Sequence, residues 1–166
     1  VLNISTLEPA YQKLVAEVVL LRLFGLVETT LQSVTVKLLC GAKYLDGTTA
    51  SVATNAKSAN GAISNMKKYG RSIYHNDLRW TKASEIKKNV RFLVSTTEHF
   101  VHVIDRNGAL ISEMRKVRNR IAHNNSASRR NFRPVVRHHY GADVNSVTPG
   151  SLLLSNRFTP YRKSVV

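Results

Sequence analysis

The stretch from Ile111 to Asn125 constrains the fold most, because it has the spacing of an amphipathic helix that ends in a polar cluster. Its apolar residues recur every three or four positions, so they share one side of a helix, and that side is expected to be buried. These residues are Ile111, Met114, Val117, Ile121 and Ala122. The pattern predicts a helix that packs on a core through this side.

Three polar residues stand at the end of this helix: Arg118, Asn119 and His123. Asn119 and His123 are four positions apart and therefore neighbours, whereas Arg118 lies roughly 140° from His123 around the helix. Within one copy of the chain, the guanidinium of Arg118 and the imidazole of His123 therefore approach each other only loosely. A second copy, related by a twofold axis, could supply the missing partner group. Imidazole exchanges protons near neutral pH and guanidinium matches phosphate oxygens, so the cluster suits phosphodiester chemistry.

A purely structural role is the alternative, because the helix dipole favours cations at a helix C-terminus. The charge of the chain weighs against it. The sequence has 25 Lys and Arg residues against 10 Asp and Glu residues. Residues 81–166 contain 16 of the basic residues and 5 of the acidic ones, a net charge of +11. Such a chain is expected to bind a polyanion, since each neutralised phosphate releases counterions. Binding to an anionic membrane surface is a competing explanation of this charge, but the sequence has no evident basic amphipathic helix of the kind that lies on membranes.

The string RNRIAHN at residues 118–124 resembles the motif of the HEPN superfamily and, within it, the RiboL-PSP-like branch. That motif is an Arg, usually followed by a polar residue, with a His after a gap of four to six residues. Arg118, Asn119 and His123 match it with a gap of four. The resemblance covers Ala109 to Phe132 and elsewhere rests on helical pattern alone.

The resemblance implies a four- to five-helix bundle that dimerises through the motif helices and acts as a metal-independent endoribonuclease without a cofactor. Many such proteins are toxins or phage-defence effectors, which implies an antitoxin or regulatory protein as a partner. A cytoplasmic location is also expected, because the single Cys is compatible with a reducing cytoplasm. His123 would be the general acid or base, Arg118 would stabilise the transition state, and Asn119 would orient the His or bind phosphate. In one toxin branch a Tyr that is modified by a partner enzyme occupies the place of Asn125, so that regulation is not expected here.

Arginines on and after the motif helix are the candidates for RNA contact. Between Ser126 and Tyr140 they alternate with aromatic and aliphatic residues, a pattern that can bind phosphates and stack on unpaired bases. An ordinary solvated helix face is the alternative. Pro134 predicts that the helix here is short and begins near Asn131 or later. The RNA-binding candidates are Arg115, Arg120, Arg129, Arg130, Arg133 and Arg137.

The rest of the sequence also predicts helices, so we expect an all-α fold with a bundle over residues 1–140. The basic residues 141–166 are expected to form an irregular C-terminal arm, packed on the bundle or partly extended. A first helix is predicted to start in a capping box at Ser5, just before Pro9, to bend or break at Gly25 and to end near Asp46. Its most apolar stretch, 14–27, contains Glu17 and is shorter than the ~20 apolar residues of a membrane span.

A second amphipathic stripe predicts one helix over residues 81–106, preceded by Trp80 as a packing residue. The short connection Asn107-Gly108 predicts that this helix and the motif helix form an antiparallel hairpin. Cys40 lies in an apolar stretch and is expected to be buried; a single Cys excludes an internal disulfide and fits a reducing compartment.

Neither pair of closely spaced histidines is predicted to bind a metal. His99 and His102 have only Glu98 as a further ligand nearby in sequence, and His138-His139 is interpreted in the same way. Two alternatives to the nuclease remain. One is a non-catalytic helical module that binds RNA or a protein and uses the motif as an anion site, and the other is one half of a toxin–antitoxin pair.

Overall fold

A computed structural model describes residues 6–156 of the chain. Within this range there are seven helices and no strand, and only two isolated β-bridges occur. The predicted all-α class is confirmed. The helices are α1 (Pro9–Leu39), α2 (Ala59–Lys68), α3 (Ala83–Val90), α4 (His99–Arg106), α5 (Gly108–Ala122), α6 (Ser126–Tyr140) and α7 (Pro149–Leu153).

The described residues divide into two compact units, each with its own apolar core. The first unit holds residues 6–25 and 113–156, and the second holds residues 26–112. The sequence predicted a bundle over residues 1–140 and an arm over residues 141–166, packed on the bundle or partly extended, and this division stays a prediction. In the structure α7 belongs to the first unit and packs in its core through the fully buried Leu152.

Helix α1 begins at Pro9, as predicted, because the missing N–H of proline costs nothing in the first turn. Ser5, the predicted cap, lies outside the described residues. The helix continues through Gly25 without a break and ends at Leu39, earlier than the expected end near Asp46. Neither α1 nor any other helix within residues 6–156 combines the length and apolar character needed to cross a membrane.

Only some of the apolar residues of α1 are buried. Tyr11, Leu14 and Val18 recur at helical spacing in the sequence but are exposed, whereas Leu20 is buried in the core of the first unit. Apolar side chains lie on several sides of this helix, so periodicity alone did not identify the side that packs. Cys40 was predicted to be buried and is exposed, because the helix ends one residue before it.

The stripe over residues 81–106 forms two helices, α3 and α4, and not the single helix predicted. The carboxylate of Glu98, just before α4, accepts hydrogen bonds from the Ser51 N–H at 2.6 Å and the Tyr44 hydroxyl at 3.0 Å. Both partners lie about fifty residues earlier in the chain, so the pattern of residues 81–106 contains no sign of them. Trp80 is buried in the core of this second unit, as predicted.

The junction between α4 and α5 is a single residue, Asn107, with φ −98° and ψ 7°. Its N–H donates to the carbonyl of Val103 at 3.1 Å, and its own carbonyl accepts from the Ile111 N–H at 2.9 Å. Helical hydrogen bonds therefore lie on both sides of a residue whose backbone is close to helical. The predicted connection is thus a single residue, and the antiparallel hairpin predicted for these two helices stays a prediction.

The motif helix α5 packs with α6, and the two are joined by only three residues, 123–125. Val117 is fully buried against Phe132 and its neighbours, and Met114 and Ile121 are partly buried at the edge of this core. Ala122 was predicted on the same buried side and is exposed, since the helix ends at this residue. We call residues 113–140, with their connection, the α5–α6 hairpin.

Helix α6 is longer than predicted and contains Pro134 in its interior. An internal proline removes one backbone hydrogen bond and costs about 3 kcal/mol. The cost is offset because Phe132, Val135 and Val136 are buried and because the helix begins with a capping box at Asn125. The prediction of a start near Asn131 was wrong because tertiary packing outweighs the local preference of proline.

Replacing Pro134 with Ala is predicted to increase the free energy of unfolding by about 1 to 3 kcal/mol, measured by urea denaturation, because the helix gains a hydrogen bond. Pro9→Ala is the matched control, because Pro9 is the first residue of α1 and has no such bond to restore. If the two variants changed stability equally, Pro134 would not lie inside a helix.

Candidate functional site

The connection between α5 and α6 is held by hydrogen bonds among its own residues. The Asn125 side chain accepts from the Ser128 N–H at 2.8 Å, and the Ser128 hydroxyl lies 3.4 Å from the Asn125 N–H. The same hydroxyl, which is buried, donates to the carbonyl of His123. These contacts satisfy backbone groups at the start of α6 and fix the backbone of His123.

The three motif residues occupy the last turns of α5. Arg118 is half-buried and its Nη1 donates to the Asn119 side-chain oxygen at 3.1 Å. The His123 N–H donates to the Asn119 carbonyl at 3.0 Å, which extends the helical hydrogen bonds to His123. The imidazole of His123 is exposed, and no hydrogen bond joins it to Arg118 or Asn119 within the described chain. One copy thus presents the imidazole to solvent and keeps the guanidinium beside Asn119.

Asn124, the residue after His123, links two of the predicted RNA-binding arginines. Its side-chain oxygen accepts from Nη1 of Arg120 and from Nη2 of Arg129, each at 3.0 Å. The sequence analysis did not single out Asn124. The contact between Arg120 and Asn124 could have been predicted, because these residues are four positions apart at a helix end. The contact between Asn124 and Arg129 could not, because it crosses the connection between two helices.

A cavity of about 310 Å³ opens beside these arginines in the first unit. Three arginines, Arg120, Arg129 and Arg133, line it. Apolar side chains and the short segment after α6 complete it. The remaining lining residues are Phe132, Val136, Asp143, Val144, Asn145 and Val147. Positive charge beside an apolar surface suits a ligand that carries both phosphate and a ring, as a nucleotide does.

The other candidate arginines are placed differently. Arg137 forms a two-point ion pair with Asp143, with Nε 3.1 Å from Oδ1. Arg115 is half-buried and Arg130 is exposed, and neither lines the cavity. The structure therefore brings together three of the six arginines that the sequence proposed, and it adds an acidic residue, Asp143, that the sequence analysis did not identify.

One group of potential metal ligands occurs among residues 6–156, although the sequence predicted no metal site. It consists of Glu113, His138 and His139, whose ligand atoms lie within 4.8 Å of one another. The sequence showed the two adjacent histidines but not the carboxylate, because Glu113 lies on α5, 25 residues before His138. His99 and His102 are not part of any such group in the described chain.

Comparison with protein-family models, with curated proteins and with solved structures gave no match. The side chains of the α5–α6 hairpin and the resemblance of its motif are therefore the features that bear on function.

The pKa of the Asp143 carboxyl is held below its ordinary value, first by the hydrogen bond from Arg137 and then by the charges of Arg137 and Arg133. Because the pKa of Asp143 is lower in the folded state than in the unfolded state, the ion pair stabilises the fold at pH values above the unfolded-state pKa. This stabilisation is lost as the pH falls through the folded-state pKa. In Arg137→Ala, an NMR titration of the Asp143 side chain should give a pKa closer to 3.8. An unchanged pKa would show that Arg137 is not its partner.

Proposed function

We propose that this chain is a HEPN-like, metal-independent endoribonuclease that binds RNA along the α5–α6 hairpin. The observation that carries the proposal is the position of the arginine cavity relative to His123. Asn124 follows His123 directly and accepts hydrogen bonds from Arg120 and Arg129, and both of these arginines line the cavity. The exposed imidazole of His123 is thus one residue in sequence from the side chain that joins two arginines of the cavity.

The charge and the lining of the cavity support the proposed binding of RNA. Phosphate oxygens accept hydrogen bonds from guanidinium groups in a two-point geometry, and Arg120, Arg129 and Arg133 offer three such groups. The apolar wall, which includes Phe132, suits the face of an unpaired base or a ribose. Because most of this affinity comes from phosphate contacts, binding is expected to depend weakly on sequence and strongly on salt.

Cleavage would use the 2′-hydroxyl of the RNA as nucleophile. His123 accepts the proton of that hydroxyl, the 2′-oxygen bonds to phosphorus, and the bond from phosphorus to the 5′-oxygen breaks. The leaving oxygen takes a proton from an imidazolium or from water, and the products are a 2′,3′-cyclic phosphate and a 5′-hydroxyl end. Arg118 stabilises the added negative charge on the phosphoryl oxygens, while Asn119 positions Arg118 through their hydrogen bond.

The proposal includes a homodimer in which the motif helices of two copies face each other. Within one copy Arg118 is bonded to Asn119 and not to His123. An isologous interface would place Arg118 of a second copy near the exposed His123, because such an interface repeats the same residues across the twofold axis. A toxin or phage-defence role, with an antitoxin or regulator that restrains the enzyme, is the biological setting we propose.

The second candidate is a non-catalytic RNA-binding module. It is favoured by the same hydrogen bond between Arg118 and Asn119, because a guanidinium that is already engaged can hold a helix end without taking part in chemistry. In this case the arginine cavity still binds RNA, and the exposed His123 adds only a further contact to phosphate.

Replacing His123 with Ala is predicted to reduce cleavage of labelled RNA by roughly 10²- to 10⁴-fold, the contribution of a general acid or base. The assay contains EDTA, and the wild type should leave 2′,3′-cyclic phosphate ends and spare DNA of the same sequence. His102→Ala is the control, because this exposed residue lies in the second unit. If His123→Ala cleaved RNA at the wild-type rate, the second candidate would be favoured. The same would follow if the wild type bound RNA without cleaving it.

The double variant Arg129→Ala, Arg133→Ala tests the binding surface separately from the chemistry. Loss of two phosphate contacts on single-stranded RNA should lower the slope of log affinity against log salt by about 1.4, since each contact contributes roughly 0.7. The matched control removes two exposed cations of the second unit, Lys57 and Arg106, and should leave the slope nearly unchanged. Equal effects of the two double variants would show that RNA is held by overall charge and not by the cavity.

A further inference from the structure

The second cluster of functional groups in the first unit lies at the far end of the α5–α6 hairpin. Nδ1 of His138 hydrogen-bonds Oε1 of Glu113, and Nε2 of His139 lies 3.4 Å from Oε2 of the same carboxylate. The two imidazole rings have centroids 4.8 Å apart. One carboxylate on α5 thus faces two imidazoles that stand side by side in the last turn of α6.

This cluster is separate from the proposed RNA site. Glu113 lies nine residues before Ala122 in α5, a distance of about 14 Å along a helix that rises 1.5 Å per residue. His138 and His139 are at the opposite end of α6 from the connection that carries His123. None of the three side chains has a role in the proposed RNA cleavage, and none of them lines the arginine cavity.

The donor set matches a transition-metal site. Two imidazole nitrogens and one carboxylate form a known ligand set for zinc, and they leave a fourth position open for water or another ligand. Tetrahedral zinc with bonds of about 2.1 Å holds its donors about 3.4 Å apart. The present atoms lie within 4.8 Å of one another, so small side-chain rotations would close them around an ion.

The burial of the three groups also suits an ion. The solvent-exposed fraction of the side chain is 21% for Glu113 and 11% for His139, whereas it is 57% for His138. Two ligands are therefore held by the surrounding helices, and the third stands at the rim, where an ion can enter from solvent. The carboxylate carries the negative charge that two neutral imidazoles lack, and this offsets the charge of a divalent cation.

We propose that Glu113, His138 and His139 bind a single divalent transition ion, of which zinc is the expected one. Because Glu113 is on α5 and the histidines are in the last turn of α6, the ion joins two helices and stabilises the first unit. It binds the folded state only, so the melting temperature should rise with metal concentration. The alternative is that Glu113 makes only an ion pair with His138 and binds no metal.

The test uses tag-free, metal-stripped protein. Cobalt(II) should bind at one equivalent and give the visible absorption of a site with nitrogen and oxygen ligands. Zinc should displace it. At a hundredfold excess over its dissociation constant, zinc should raise the melting temperature by about 5 to 10 °C. Absence of both the absorption and the shift would leave only the ion pair and overturn the proposal.

Three variants, Glu113→Gln, His138→Ala and His139→Ala, should each weaken zinc binding by at least about tenfold. His99→Ala, His102→Ala is the matched control, because it removes the other closely spaced histidine pair and should bind zinc as the wild type does. Circular dichroism of each metal-free variant separates loss of a ligand from loss of the fold, and Glu113→Gln keeps the shape of the side chain. Wild-type affinity in all three variants, or loss of binding in the control pair, would place the ion elsewhere.

Discussion

The capping box between Asn125 and Ser128 is the interaction on which the candidate site depends. It starts α6 only three residues after α5 ends, and the buried hydroxyl of Ser128 also binds the carbonyl of His123. Without this turn, the arginines at the end of α5 and at the start of α6 would not share one cavity, and Asn124 could not accept hydrogen bonds from both. A cap is worth about 1 kcal/mol, so a small local energy contributes to the geometry of the candidate site.

A cluster of arginines costs free energy in the absence of a ligand, because like charges repel. The structure offsets part of this cost with neutral and acidic groups inside the cluster. The side-chain oxygen of Asn124 accepts from two guanidinium groups, and Asp143 neutralises Arg137. The guanidinium groups of Arg129 and Arg133 keep hydrogen-bonding capacity for phosphate. In this interpretation the basic cavity is prepared for a polyanion before one binds.

Local signals predicted the fold where they acted alone, and they failed where distant residues decided the outcome. Pro9 correctly marked the start of α1, and the spacing around Val117 correctly marked the buried side of α5. Pro134 was misleading, because its local preference competes with three buried neighbours on α6. The break before α4 depends on Glu98 and its partners about fifty residues away. The motif is a resemblance in sequence and stays a prediction. The cavity could not be predicted, since its wall comes from α5, α6 and the segment after them.

The most direct measurement is hydrogen exchange of the backbone amides with and without a single-stranded RNA oligonucleotide. The proposed function predicts slower exchange within residues 118–136 and in the segment around Asp143, with little change in residues 26–112. Protection confined to residues 26–112, with none in the α5–α6 hairpin, would contradict the claim that this hairpin is the RNA-binding surface.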